Sequence, residues 1–174
     1  MKSYDFTLKF ALPDSDMDPE KFVGLLAKAD CEDALVGIGQ KGRIALNFTR
    51  EAKSASQAVL SALQDVKRAI PEAKLVEASP DFVGLTDVAQ FLGCSRQNVR
   101  KVVIRYGASF PAPVHEGNPA IWRLAKVLSW IQARGQEIDL GLLEVAQATQ
   151  QVNLAREMQD AVPAMQKKVQ ALFA

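Results

Sequence analysis

"LTDVAQFLGCSRQNVRKVVIRYG", residues 85–107, decides how this chain is organised. It reads as two short amphipathic helices joined by a tight turn at Gly93, where a left-handed backbone is least costly for glycine. Val88, Ala89 and Leu92 form the inner face of the first helix. Cys94 points inward, and Val99 and Val102 complete the inner face of the second. Thr86 and Ser95 stand where N-caps belong. The second helix carries Arg96, Arg100, Lys101 and Arg105 and no carboxylate. Charge alone would read as a solvated helix face. A turn glycine, a small crossing residue, inner apolar positions and caps in one register favour a helix-turn-helix.

The outer face of the second helix then holds Arg96, Gln97, Asn98, Arg100, Lys101 and Arg105. Arginine can pair with the two acceptors of guanine, and glutamine or asparagine with adenine. The helix N-terminus, near Ser95, adds free amides that suit phosphate. After the pair comes "SFPAPVHEGNPAIWRLAKVLSWI", residues 109–131. Its prolines hold the chain extended or turning. Val114 and His115 can pair with Ile121 and Trp122 across "EGNPA" as a small wing, with a short helix over 125–133.

Together these stretches resemble the winged helix-turn-helix of the MerR superfamily, nearest to its AlpA-like regulators and phage excisionases. The likeness rests on Ser95 and Arg96, on Phe110, Pro111 and Pro113, on Trp122 and Arg123, and on Trp130 and Ile131. It spans residues 85–131 of 174. The resemblance implies binding of double-stranded DNA, with the second helix in the major groove. It also implies a wing on the backbone or minor groove, through His115, Asn118 and Arg123. Wings of this family are richer in Lys and Arg than this one, which moves base-edge work toward the helix.

Upstream, residues 1–79 alternate strand and helix patterns. Tyr4, Phe6, Leu8, Phe10 and Leu12 share one face, and Asp5, Thr7 and Lys9 the other, the period of a half-buried strand. Asp18 before Pro19 begins a helix, with Phe22, Leu25, Leu26 and Ala29 as its buried stripe. Residues 34–38 and 43–48 read as strands around "GQKG". Ser54 and Gln57 form a capping box, opening a helix that Pro71 ends. "AKLVEA", residues 73–78, is a last strand. The order β-α-β-β-α-β is the ferredoxin-like split arrangement.

Downstream, residues 136–174 are helix-permissive. Ala148, Ala155, Val162 and Val169 recur every seven residues, and Met158, Met165 and Leu172 form a second seam. Gln151 occupies one seam position and Pro163 interrupts the ladder, so two helices or one kinked helix are expected. Val152, Ala155, Met158, Val162, Met165, Val169 and Leu172 make up the expected dimerisation face; the ferredoxin-like sheet is the alternative one. The expected fold is α+β in three parts, residues 1–79, 80–135 and 136–174.

Hydrophobic residues make up 48% of the chain, enough for a real core. With a net charge of +1, affinity for nucleic acid must come from local charge. No apolar run approaches the ~20 residues that cross a membrane, and the first residues lack the pattern of a signal peptide. Cys31 and Cys94, far apart and in ordinary contexts, fit a reduced cytoplasmic protein.

"GIGQKG", with Gly37, Gly39 and Gly42, matches a dinucleotide-site pattern, but it leads into a strand instead of opening a helix. His115 is the one histidine, too few for a zinc site. Glu32 and Asp33 stand just before a strand, where adjacent side chains point to opposite faces, so paired acid–base catalysis is not supported. Trp122 and Trp130 fit core packing beneath the recognition helix. No catalytic constellation assembles, so neither an enzyme nor a cofactor is expected. The expected function is a sequence-specific DNA-binding transcriptional regulator acting as a homodimer. The alternatives are an antitoxin-type protein that grips a toxin, and an excisionase-like architectural factor.

Overall fold

The alternation of Tyr4, Phe6, Leu8 and Phe10 with polar residues produces strand β1 (Lys2–Ala11), and all four side chains are buried. A computed structural model describes residues 1–37 and 39–173. Two strands flank β1. Strand β2 (Ala34–Gly37) is the hairpin partner of β3 (Arg43–Ala52); Ile38, expected in β2, lies outside the described residues. Strand β3 runs antiparallel to β1 along its whole length, from Lys2 opposite Ala52 to Ala11 opposite Arg43. Strand β4 (Lys74–Ser79) pairs with the other side of β1 from Thr7 to Ala11. The antiparallel sheet has the order β2-β3-β1-β4.

The helices that cover the sheet follow from local signals. Asp18 accepts the Glu20 amide and starts a 3-10 turn, Pro19–Phe22, that leads into α1 (Val23–Lys28). Leu26 and Ala29 are buried, but Leu25 is exposed, a correction to the expected stripe. The switch from 3-10 to α winding changes the phase after Phe22 and turns Leu25 outward. Helix α2 (Ala55–Ala69) is capped by Ser54 Oγ, which accepts the Gln57 amide at 3.2 Å. The Gln57 side chain accepts the Lys53 amide instead of the reciprocal Ser54 one.

The glycine turn serves packing. Gly42 has φ +69°, and a Cβ there would lie 2.5 Å from the Ser15 carbonyl oxygen. Its amide donates to Met17 O and its carbonyl accepts from Leu12. Only glycine fits that left-handed, crowded position.

Arg50 ties the sheet to the helices from a buried position. Its Nε and Nη2 grip Asp33 at 2.6 and 3.0 Å, and Nη1 donates to Asp65 at 2.7 Å and Ser61 at 3.0 Å. Burial pulls the guanidinium pKa down, but the hydrogen bonds to Asp33 and Asp65 outweigh it and hold it above its ordinary value. Asp33 is thus a structural anchor. The neighbouring Cys31 thiol is pushed up to about 11, first by burial and then by the charge of Asp65.

After β4 the chain runs through β5 (Phe82–Val83), α3 (Leu85–Phe91), α4 (Arg96–Tyr106), β6 (Trp122–Arg123) and α5 (Leu124–Gln132). Helix α6 (Leu140–Gln159) follows, its first amides accepted by Asp139. It belongs to two cores at once. Val145 and Ala148 join the cluster under the sheet, whereas Leu143 and Ala146 join a second one with Val88, Val99, Phe110 and Leu128. Residues 136–174 are therefore not one free helical segment. Val152, expected at a dimer seam, packs against the sheet's core. Only α7 (Pro163–Phe173), begun by Pro163 and without buried residues, stands apart.

The two cysteines should differ sharply. Cys31 is buried and Cys94 exposed, so a maleimide should label one thiol per native chain and both in urea, as counted by mass. Labelling of Cys31 in the native protein would contradict this packing.

Candidate nucleic-acid interface

The turn between α3 and α4 is built as its sequence suggests. Gly93 adopts φ +61°, the Cys94 amide donates to Ala89 O at 2.9 Å, and Ser95 Oγ accepts the Asn98 amide at 3.2 Å. Val88, Ala89 and Val99 are buried between the helices. Two expectations need correcting. The cap of α3 is at Gly84, whose amide donates to Asp87 at 2.7 Å, so Thr86 lies within the first turn, exposed. Cys94 is also exposed, because its backbone amide, and not its side chain, faces the first helix.

The hairpin after α4 is joined by amide–carbonyl bonds among Val114, His115 and Ile121. Its base continues into β6, which pairs with β5, Phe82 opposite Arg123 and Val83 opposite Trp122. Strand β5 is too short to show a period and was not expected. Trp122 anchors the hairpin by donating Nε1–H to Pro111 O at 3.0 Å. Phe110 packs edge-on against Trp122 and Trp130. The exposed His115 ring lies over Gly117, where a Cβ would collide with it.

Arg96, Gln97, Asn98, Arg100, Lys101 and Arg105 are all exposed, but they do not form one face. Arg96, Gln97 and Arg100 line a cleft of about 690 Å³ whose other walls include Thr86, Gly117 and Asn118. Asn98, Lys101 and Arg105 turn toward a second cleft, between α4 and α5. Spacings of three and four residues generate each stripe separately on a helix with 3.6 residues per turn. Among the described residues, Arg96, Arg100, Lys101 and Arg105 make no ion pair, whereas Arg50, Arg68, Arg123 and Arg156 do. The hairpin-side cleft therefore presents two unpaired guanidiniums and two carboxamides, from Gln97 and Asn118. That set can donate to anions and to paired acceptors.

Arg123, expected on the wing, is a clear correction, because it is buried. Its Nη1 donates to Asp81 Oδ2, its Nη2 lies 3.4 Å from Glu157, and the guanidinium stands 4.1 Å over the Phe82 ring. The β5–β6 pairing turns it toward the junction with α6. Asp81 is fully buried. Burial raises its carboxyl pKa above the ordinary value, while the Asn153 hydrogen bond and the Arg123 charge oppose that rise. Neither Asp81 nor Asn153 stands out in the sequence, since each is a single polar residue with no motif around it.

Comparisons with protein-family models, curated proteins and solved structures return no match to this chain. Among the described residues, no helix is long and apolar enough to cross a membrane.

Arg123→Ala should lower unfolding stability in urea by about 3–5 kcal/mol, because it leaves Asp81 buried without its cation. Arg96→Ala, at the surface, should change it by no more than about 0.5 kcal/mol. Equal midpoints for the two variants would contradict the buried pair.

Proposed function

We propose that the protein is a sequence-specific DNA-binding regulator that acts as a homodimer, with α4 in the major groove. The observation that carries this reading is the unpaired set of Arg96, Gln97 and Arg100, exposed beside the hairpin tip at Asn118. We read residues 85–131 as a winged helix-turn-helix of MerR or AlpA type. The buried crossing at Ala89 and Val99, the left-handed Gly93 and the paired hairpin support it. The strand order β2-β3-β1-β4, with helices after β1 and β3, supports a ferredoxin-like reading of residues 1–79.

In this function Arg96, Gln97 and Arg100 address base edges. Lys101 and Arg105, on the flank of α4, address phosphates, and Ser95 holds the helix start in shape. His115 and Asn118 form the tip of the wing. The role is binding and not catalysis, in a cytoplasmic protein with free thiols.

For the dimer we favour the C-terminal surface over the sheet. Met158 at the end of α6, Val162 in the turn that follows, and Met165, Val169 and Leu172 on α7 are all exposed and keep a heptad spacing along the sequence. Ala155, also exposed, extends it. A dimer formed through these side chains is expected on a two-fold site, with half-sites about 34 Å (one helical turn) or a multiple of it apart.

Two experiments test this reading. Once bound oligonucleotides have been selected from a random pool, Arg96→Ala/Arg100→Ala should lose about 2–6 kcal/mol of specific binding, counting two base contacts. Its unfolding midpoint should be unchanged. Wild-type affinity in that variant would overturn the assignment of α4. Separately, a chain ending at Asp160 lacks α7 but keeps α6 in both cores, and it should be monomeric by light scattering. A persisting dimer would move the interface elsewhere. The exposed Met158 and Met165 would then favour a second reading, an antitoxin-type protein whose α7 fits the groove of a protein partner. Bending of the selected DNA, measured by gel mobility of permuted fragments, would mark an excisionase-like factor.

A further inference from the structure

The second cleft, between α4 and α5, is a built concavity of about 490 Å³, within the range of small-molecule sites. Its walls bring together Leu92, Val102 and Ile131 with an aromatic group. Trp130 packs edge-on against Tyr106 and Phe110, with ring centres 5.0 Å away in both cases. This aromatic group is not sealed, since Trp130 is only partly buried and Tyr106 is exposed.

The rim carries three cations, Lys101, Arg105 and Arg134, against one carboxylate, Glu137. Arg134 is held in place. Its guanidinium lies 3.7 Å from the centre of the Trp130 ring and 4.9 Å from that of Tyr106. A guanidinium stacked on an aromatic face keeps its in-plane N–H donors available for an acceptor. Among the described residues Arg134 makes no ion pair, and its one side-chain hydrogen bond, to Ser109 Oγ, is long at 3.5 Å.

We infer that this cleft binds a small amphipathic monocarboxylate. An aromatic or branched apolar body would occupy the space between Val102 and Trp130, and the carboxylate would meet Arg134 with Arg105 or Lys101 beside it. The charge balance of the rim selects the ligand class. A cationic ligand of the same shape faces net repulsion, and a neutral one leaves the pre-placed guanidinium without an acceptor. The inference rests on this cleft and not on DNA binding, and its test uses the DNA-free protein.

Calorimetry on the full chain with 4-phenylbutyrate, 4-phenylbutanol and 4-phenylbutylamine varies the charge on one apolar body. The acid should bind about tenfold or more tighter than the alcohol, with the amine weakest, as one charge-assisted bond predicts. Arg134→Gln should bring the acid down to the affinity of the alcohol. Val102→Trp, which fills the cleft, should weaken the acid by about tenfold or more. In an NMR titration, which does not depend on any variant folding, the indole N–H of Trp130 should shift with the acid while that of Trp122 stays in place. Equal affinity for acid and amine, absence of saturable binding by the acid, or an unmoved Trp130 resonance would each overturn the site.

Discussion

The docking of α6 beside β4 is registered by the carboxamide of Asn153. It accepts the Ala78 amide at 2.8 Å and donates to the Ala78 carbonyl at 2.7 Å, the pair of bonds a neighbouring strand would make. At Ala78 the outer edge of β4 is thereby satisfied by a side chain from α6. The same amide nitrogen also donates to Asp81 at 2.7 Å, and Asp81 holds Arg123 in β6. One helical turn earlier, Thr149 Oγ1 donates to Pro80 O at 2.6 Å. Three segments remote in sequence meet in one buried polar node. Such a node contributes modest net stability, because its charges leave water. Its specificity is larger, since any other docking of α6 would strand buried donors and acceptors at about 1–3 kcal/mol each.

That node makes α6 a shared helix. Its apolar side chains serve the sheet's core at Val145 and Ala148 and the second core at Leu143 and Ala146. The two cores are therefore coupled through packing as well as through Asp81, and the face carrying α4 and the hairpin is held in a set orientation to the sheet. Arg50 does the corresponding work inside the first unit, where it joins β3 to Asp33 before β2 and to Asp65 on α2.

The partition of positive charge is more informative than its sum. The net charge is +1, yet the arginines inside the fold are matched to carboxylates while those on α4 are not. Four cations with no ion pair and no carboxylate beside them on one exposed helix make a local positive field that the net charge does not show. An anion within a Debye length, about 8–10 Å, sees that helix and not the average.

Much of this was legible from residue spacing. The period of two at Tyr4 to Phe10 specified β1. Ser54 and Pro71 bounded α2, and Gly93 with Ser95 specified the turn and start of α4. These are local matters, set by backbone sterics and by side chains within one turn of one another. Strand β5 was not legible, because two residues carry no period. Ala148 and Val152, which heptad spacing places on a free seam, pack into the core under the sheet, whereas Ala155 and Met158 of the same helix stay exposed. The spacing expects the cations of α4 on one exposed face; all are exposed, but the hairpin on one side and α5 on the other divide them between two clefts. Arg123 shows the limit most plainly: its neighbours in sequence suggest a surface cation, whereas Asp81 and Glu157, 42 and 34 residues away, take it into the interior. Spacing along the chain determines which side chains share a face. Which polar groups can be buried depends on the partners that tertiary packing brings to them.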